Sequence, residues 1–237
     1  MRVNKENQTP SSTQQPRISS SIRLSFTVTY ILLLTTGTIT FIEAIRTQTP
    51  IVRHILNLET CISVIAGYFY YIFTNKISEY ERTNTTINWT DIVETRYIDW
   101  SITTPLMLIA LCVVLSNEIN LPVRLPIIAI IIALNYAMLY AGYLGETNRI
   151  DRTAANILGF LPFLTMFGVI YWKYVMPKFS LANRVMFYFY LVVWFLYGVV
   201  YLFDVETRNV AMNILDLCAK CLIGLGLWVY YVHIVRL

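Results

Sequence analysis

Asn209-Val210-Ala211-Met212-Asn213-Ile214-Leu215-Asp216-Leu217-Cys218-Ala219-Lys220 opens an apolar stretch that runs to about residue 235, with a carboxylate and an amine set inside it. Asp216 and Lys220 are four residues apart, so on a helix they lie on one face, one turn from each other. Asn209 and Asn213 extend the same stripe. A charge in the hydrocarbon of a bilayer is expensive and normally faces a bundle interior or a water path. The stretch therefore reads as a spanning helix with a buried polar face, packed against other helices.

The rest of the chain supplies those helices. Of the 237 residues, 57% are hydrophobic and 14% charged, where a soluble domain carries about 25% charged residues; the mean hydropathy is +0.57. Spanning segments are expected at 22–45, 51–74, 92–115, 122–143, 154–175, 180–203 and 209–235, each near the length a bilayer requires. Backbone groups in lipid must pair within their own segment, which at these lengths leaves only helices. The fold class expected is an all-α membrane protein, a seven-transmembrane-helix bundle over 21–237. It follows a Ser-, Thr-, Gln- and Pro-rich tail, 1–20, expected to be disordered and extracellular. The net charge of +4 is dispersed, so no nucleic-acid partner is expected. Cys218 and Cys221 have the spacing of a metal or redox pair, but a thiolate in hydrocarbon is costly and no second pair exists, so no metal is expected.

Charge gives an orientation. With the N-terminus outside and the C-terminus cytoplasmic, the inner loops hold Arg46, Arg53, Arg124, Lys173, Lys178, Arg184 and Arg236 against Glu43 and Glu118. Most remaining loop acids, including Glu146, Asp151, Asp204 and Glu206, fall outside with Arg152 and Arg208 among the fewer outer cations. That is the positive-inside pattern, although basic residues in the tail oppose it. Glycosylation acceptor patterns at Asn7, Asn84 and Asn88 land on the assigned outside.

Few ionisable groups remain within the spans: Glu59 in the second, Arg96 and Asp99 in the third, Asp216 and Lys220 in the seventh. Arg96, Asp99 and Thr103 share a helix face at offsets of three and seven. Two carboxylates and an arginine compensate one further buried cation at Lys220. The residues alone leave two readings open: an ion-pair network stapling the third and seventh helices, or a site built around a cation formed on Lys220.

Three motifs, in order and in the matching spans, carry a resemblance. Arg96-Tyr97-Ile98-Asp99-Trp100-Ser101-Ile102-Thr103-Thr104-Pro105-Leu106 resembles the third helix of microbial rhodopsins. Trp194-Phe195-Leu196-Tyr197 with Tyr201 resembles their sixth, and Asp216-Leu217-Cys218-Ala219-Lys220 their retinal-attachment stretch. The resemblance implies a photoreceptor rather than an enzyme, with all-trans retinal as a protonated Schiff base on Lys220. It implies Asp99 as counterion and proton acceptor, Asp216 as second counterion, and Arg96 as the arginine shielding both from outside. Trp100, Thr103, Thr104, Met107, Trp194, Tyr197 and Tyr201 would form the retinal pocket.

Departures from the family pattern bear on transport. Light-driven proton pumps commonly place a carboxylate eleven residues after the counterion, and here that position is Ala110. Gly198 stands where the sixth helix usually has proline, which is expected to change its bend. Instead, Asn209 and Asn213, Glu59 with Ser63, and Ser25, Thr29, Thr36 and Thr40 form polar stripes that could hold water and cations or simply bond helices together. His54-Ile55-Leu56-Asn57-Leu58-Glu59-Thr60-Cys61 resembles the first group of viral rhodopsins from giant algal viruses, which implies light-gated cation conduction past Glu59, Asn209, Asn213 and Ser25. The expected function is a light-gated cation channel passing monovalent or divalent cations or protons, with the Schiff-base proton moving to Asp99. An outward proton pump and a sensor without transport are the alternatives; the bilayer is the surrounding partner, and a homo-oligomer is an open expectation.

Overall fold

The computed structural model describes residues 19–234. The expected tail up to residue 18, the acceptor pattern at Asn7 and the charge at Arg236 lie outside the described residues. Within them are seven helices long and apolar enough to cross a membrane: α1 (Ser20–Arg46), α2 (Pro50–Thr83), α3 (Trp89–Glu118), α4 (Leu125–Glu146), α5 (Arg152–Val175), α6 (Leu181–Val200) and α7 (Val205–Ile234). No strand occurs among the described residues.

Local chemistry sets the helix ends. Asn88, Asp151, Ser180 and Asp204 each accept a hydrogen bond from a backbone N–H three residues on, at 3.3, 3.0, 3.3 and 3.0 Å, and so begin α3, α5, α6 and α7. The bonds from Thr207 hold the Asp204 carboxyl below the usual aspartate range. α2 runs to Thr83, well past the expected end at 74, and stops at Asn84 in the left-handed conformation with φ 53°. Hydropathy marks only the part of a helix that lies in lipid. Beyond residue 74, Ile77 still packs inward while Lys76 pairs with Asp91 at 2.7 Å. α4 starts at Leu125 rather than 122 because Pro122 and Pro126 bracket the entry and Pro126 occupies its first turn. α6 ends at Val200, before the expected 203, because Leu202 and Phe203 already bond back in a tight turn.

Consecutive helices pack on one another, α1 closes the ring against α7, and α3 also meets α6. In its most apolar window α3 is 67% buried, against 22% for α4. α3 is therefore the central helix and α4 a rim helix facing lipid. Large side chains such as Leu125, Leu161 and Trp172 are exposed, as a lipid-facing surface requires. α7 is not a uniform helix. It widens into π turns at Leu217–Leu222 and Val229–Ile234, and the first of these carries Lys220. Such one-turn widenings concentrate at functional sites.

Candidate rhodopsin site

The buried charges of α3 and α7 meet. Lys220 Nζ lies 3.0 Å from Asp99 Oδ2 and 3.4 Å from Asp216 Oδ2, and all three residues are at most 1% exposed. Thr103 donates to the backbone carbonyl of Asp99 and approaches its Oδ1 at 3.3 Å. Asp216 is the more heavily bonded acid: Tyr197 donates to Oδ1 at 2.5 Å, Trp100 Nε1 at 3.4 Å, and Tyr70 to Oδ2 at 2.7 Å. Arg96 lies 3.7 Å from Asp216 and donates to Asn213 at 2.8 Å, to Asn209 at 3.2 Å and to Tyr70 at 3.3 Å. Its guanidinium packs among the rings of Phe26, Tyr70, Phe73 and Trp100, where it gains cation–π attraction. Two cations face two carboxylates, so the cluster balances in charge.

On one side of the cluster lies a cavity of about 800 Å³, counting its open mouth. Trp100, Thr104, Met107, Trp194, Tyr197 and Tyr201 line it, and Lys220 and Asp216 reach its wall. Thr103 does not line it; its hydroxyl is turned back onto Asp99. Met138, Leu139, Phe160, Phe163 and Met212 make the remaining wall mostly apolar. Asn135 Nδ2 donates to Thr104 at 2.8 Å, tying α4 to the wall.

On the other side, between α1, α2, α3 and α7, runs a file of polar groups. Asn213 Nδ2 donates to Ser25 Oγ at 2.9 Å, joining α7 to α1. Beyond Lys220, toward the other end of the bundle, Thr36, Glu59 and Ser63 are at most 1% exposed. Glu59 Oε1 and the Ser63 hydroxyl have no hydrogen-bond partner among the described residues, and the Thr36 hydroxyl faces the Cys221 thiol. The absence of a side chain at Gly224 brings Thr36 and Glu59 together: a Cβ there would lie 3.0 Å from Thr36 Cγ2 and 3.3 Å from Glu59 Oε2.

Residues 21–234 match the family described as bacteriorhodopsin-like protein. The chain belongs to the microbial rhodopsins. The fold of this rhodopsin is similar to that of the viral rhodopsin OLPVRII, with 43% identity, a TM-score of 0.81, and 89% of this chain and 97% of the other covered. It also resembles the proton pumping rhodopsin AR2 from the marine alga Acetabularia acetabulum, at 19% identity and TM-score 0.71 over 89% and 94% of the two chains. Blue light-absorbing proteorhodopsin from Med12 shares 20% identity and a TM-score of 0.67 over 87% and 94%. The last two show the fold alone. No curated protein matches by sequence. Rhodopsins of this family bind retinal, and the cavity fits such a group: it is mostly apolar, lined by the aromatic rings of Trp100, Trp194 and Tyr197, and walled at one point by a single primary amine.

Several residues of this rhodopsin's site are absent from the sequence reading. Tyr70, which bridges Asp216, Asn213 and Arg96, was legible: it lies eleven residues after Glu59, on the face that Glu59 and Ser63 define. Glu146 and Arg208 were assigned to outer loops, and the structure corrects this. Glu146 is 9% and Arg208 2% exposed, and they pair at 3.1 Å, with Arg152 at 3.8 Å from the same carboxylate. They border the cavity wall through Tyr201, whose hydroxyl donates to the Gly142 carbonyl at 2.8 Å and is pushed up to about 12 by burial and then by Glu146. α6 is continuous across Gly198. The missing side chain there admits the Phe160 ring, which a Cβ would approach to 2.5 Å.

Proposed function

We propose that this rhodopsin is a light-gated cation channel with retinal carried on Lys220. Bound there as the all-trans isomer, retinal supplies light absorption and isomerisation. The chain's own residues do the rest. Asp99 and Asp216 stabilise a positive charge at the Lys220 nitrogen, and the shorter contact, to Asp99 Oδ2, is the shorter proton path. Asp216 already accepts from Tyr70, Tyr197 and Trp100, which favour its charged form, so Asp99 is the better acceptor. Once Asp99 takes the proton, the Lys220–Asp99 attraction is lost, and with it the ion pair that joins α3 to α7 at the middle of the cluster. Trp100, Thr104, Met107, Trp194, Tyr197 and Tyr201 position the polyene and exclude water, with Thr103 orienting Asp99.

The observation that carries conduction is the buried polar file between α1, α2, α3 and α7. It runs from Ser25, Asn209 and Asn213, past Arg96 and the carboxylates, to Glu59, Thr36 and Ser63. Unpartnered buried oxygens are costly unless water or a cation meets them, and their placement on one seam favours a pathway for monovalent or divalent cations or protons. It fits the resemblance of the stretch His54 to Cys61 to the first group of viral rhodopsins. Ala110, fully buried in the apolar core, stands where an outward pump would carry its inner proton donor. The excess of Lys and Arg at the assigned inner ends of the helices favours an N-terminus outside.

Photocurrents under voltage clamp test this. A channel gives currents that reverse near the equilibrium potential of the permeant cation. Steady outward current at all voltages would identify a pump, and silence a sensor. Glu59→Gln and Asn213→Leu should each change conductance or selectivity; unchanged currents in both would remove the pathway.

A further inference from the structure

A second cavity lies far from the charge cluster, where α4 begins and α5 ends. It measures about 620 Å³, counting its open mouth, and Pro122, Arg124, Trp172, Lys173 and Tyr174 help to line it. We infer that it binds the phosphate-bearing headgroup of an anionic membrane lipid.

Four observations converge there. Arg124 and Lys173 are both exposed cations, and no acid lines the cavity. α4 is 22 residues long and its N-cap, Arg124, makes no side-chain capping bond. Pro126 has no N–H and those of Ile127 and Ile128 bond to the Arg124 carbonyl at 3.0 and 3.2 Å, so an outside acceptor meets the Leu125 N–H and the positive end of the helix dipole. Tyr174 is 2% exposed; its oxygen faces the backbone N–H of Arg124, while its own proton has no acceptor among the described residues. A phosphate oxygen would accept its proton. Finally, the π turn Tyr171–Val175 at the end of α5 turns neighbouring residues to opposite sides, so Trp172 is 66% exposed beside the buried Tyr174.

The surroundings select a lipid over a soluble anion. Leu125 is 81% and Met176 58% exposed, and α4 presents most of its surface outward, so acyl chains have an apolar bed next to the cations. A tryptophan beside basic groups at a helix end is the arrangement found at the membrane–water boundary, and basic pockets between spanning helices are recognised sites for anionic headgroups.

Native mass spectrometry of the full chain, titrated separately with phosphatidylglycerol and phosphatidylcholine, tests the site. Phosphatidylglycerol should bind more tightly. Arg124→Gln/Lys173→Gln should weaken it by about fivefold for each cation removed, leaving phosphatidylcholine binding unchanged. Tyr174→Phe should weaken phosphatidylglycerol as well. Arg46→Gln/Arg184→Gln, which removes equal charge at other helix ends, should not. Equal affinity for the two lipids would overturn the inference, as would an equal loss in the control pair, which would mean diffuse attraction. Displacement of bound phosphatidylglycerol by an equal concentration of inorganic phosphate would reassign the cavity to soluble anions.

Discussion

Replacing Tyr70 with phenylalanine removes one oxygen from the densest part of the charge cluster. That hydroxyl has a single proton. The shortest contact, 2.7 Å to Asp216 Oδ2, takes it, while Arg96 Nη1 donates to the oxygen at 3.3 Å. Two charge-assisted hydrogen bonds are lost, each worth about 1.5–3 kcal/mol. The loss is partly offset, because Asp216 keeps Tyr197 and Trp100 and Arg96 keeps Asn209 and Asn213. The net cost should be close to that of one such bond, about 2–3 kcal/mol. For a domain of this size each kcal/mol lowers the melting midpoint by about 2–4 °C, so thermal bleaching of the pigment should fall by about 4–12 °C. The spectrum should move with it. A donor on Asp216 spreads its negative charge, and removing that donor strengthens its hold on the cation at Lys220, which shifts absorption to the blue. Tyr68→Phe, on the 61% exposed neighbour, is the control. A variant with control-like bleaching and an unshifted band would refute the placement of Tyr70 between Asp216 and Arg96.

Asp99→Asn should shift absorption to the red, because one of the two acids near Lys220 is neutralised, and should suppress deprotonation in the photocycle; an unchanged spectrum and photocycle would remove Asp99 from its role. Glu146→Gln should destabilise by about 2 kcal/mol, between the values for exposed and fully buried pairs, and Glu146→Gln/Arg208→Gln should cost less than the sum of the single changes. Additive melting shifts would show that the two do not interact. Gly198→Ala forces a methyl to within 2.5 Å of Phe160 and should cost about 1–3 kcal/mol, relieved by Phe160→Leu. Gly226→Ala, with open space around it, should be neutral, and equal losses at both glycines would contradict the packing.

Much of this was written in periodicity. Asp216 and Lys220, and Arg96, Asp99 and Thr103, could be set on helix faces from their spacing, and the bundle joins those faces as expected. What spacing does not encode is which residues at the ends of helices turn inward. Glu146 and Arg208 look like loop charges because they flank turn formers, and only the fold brings the last residue of α4 within salt-bridge reach of the first turn of α7. The outer turns of α2 escaped for a related reason: hydropathy follows contact with lipid, whereas the helix itself continues as far as its hydrogen bonds do. Tyr70 was legible only as to its helix face; its role depends on partners from two other helices, Arg96 on α3 and Asn213 and Asp216 on α7. Thr103 was placed on the right face but in the wrong wall, since a side chain one position along can serve the acid rather than the cavity.

The amine of Lys220 is already neutralised by two acids before anything is attached to it. Closing the seven helices thus leaves no stray charge awaiting a ligand, and the polypeptide can reach its final shape in the bilayer first. On the proposed function, colour would then be acquired afterwards, when a small apolar aldehyde enters a finished receptacle and condenses with that amine, releasing water.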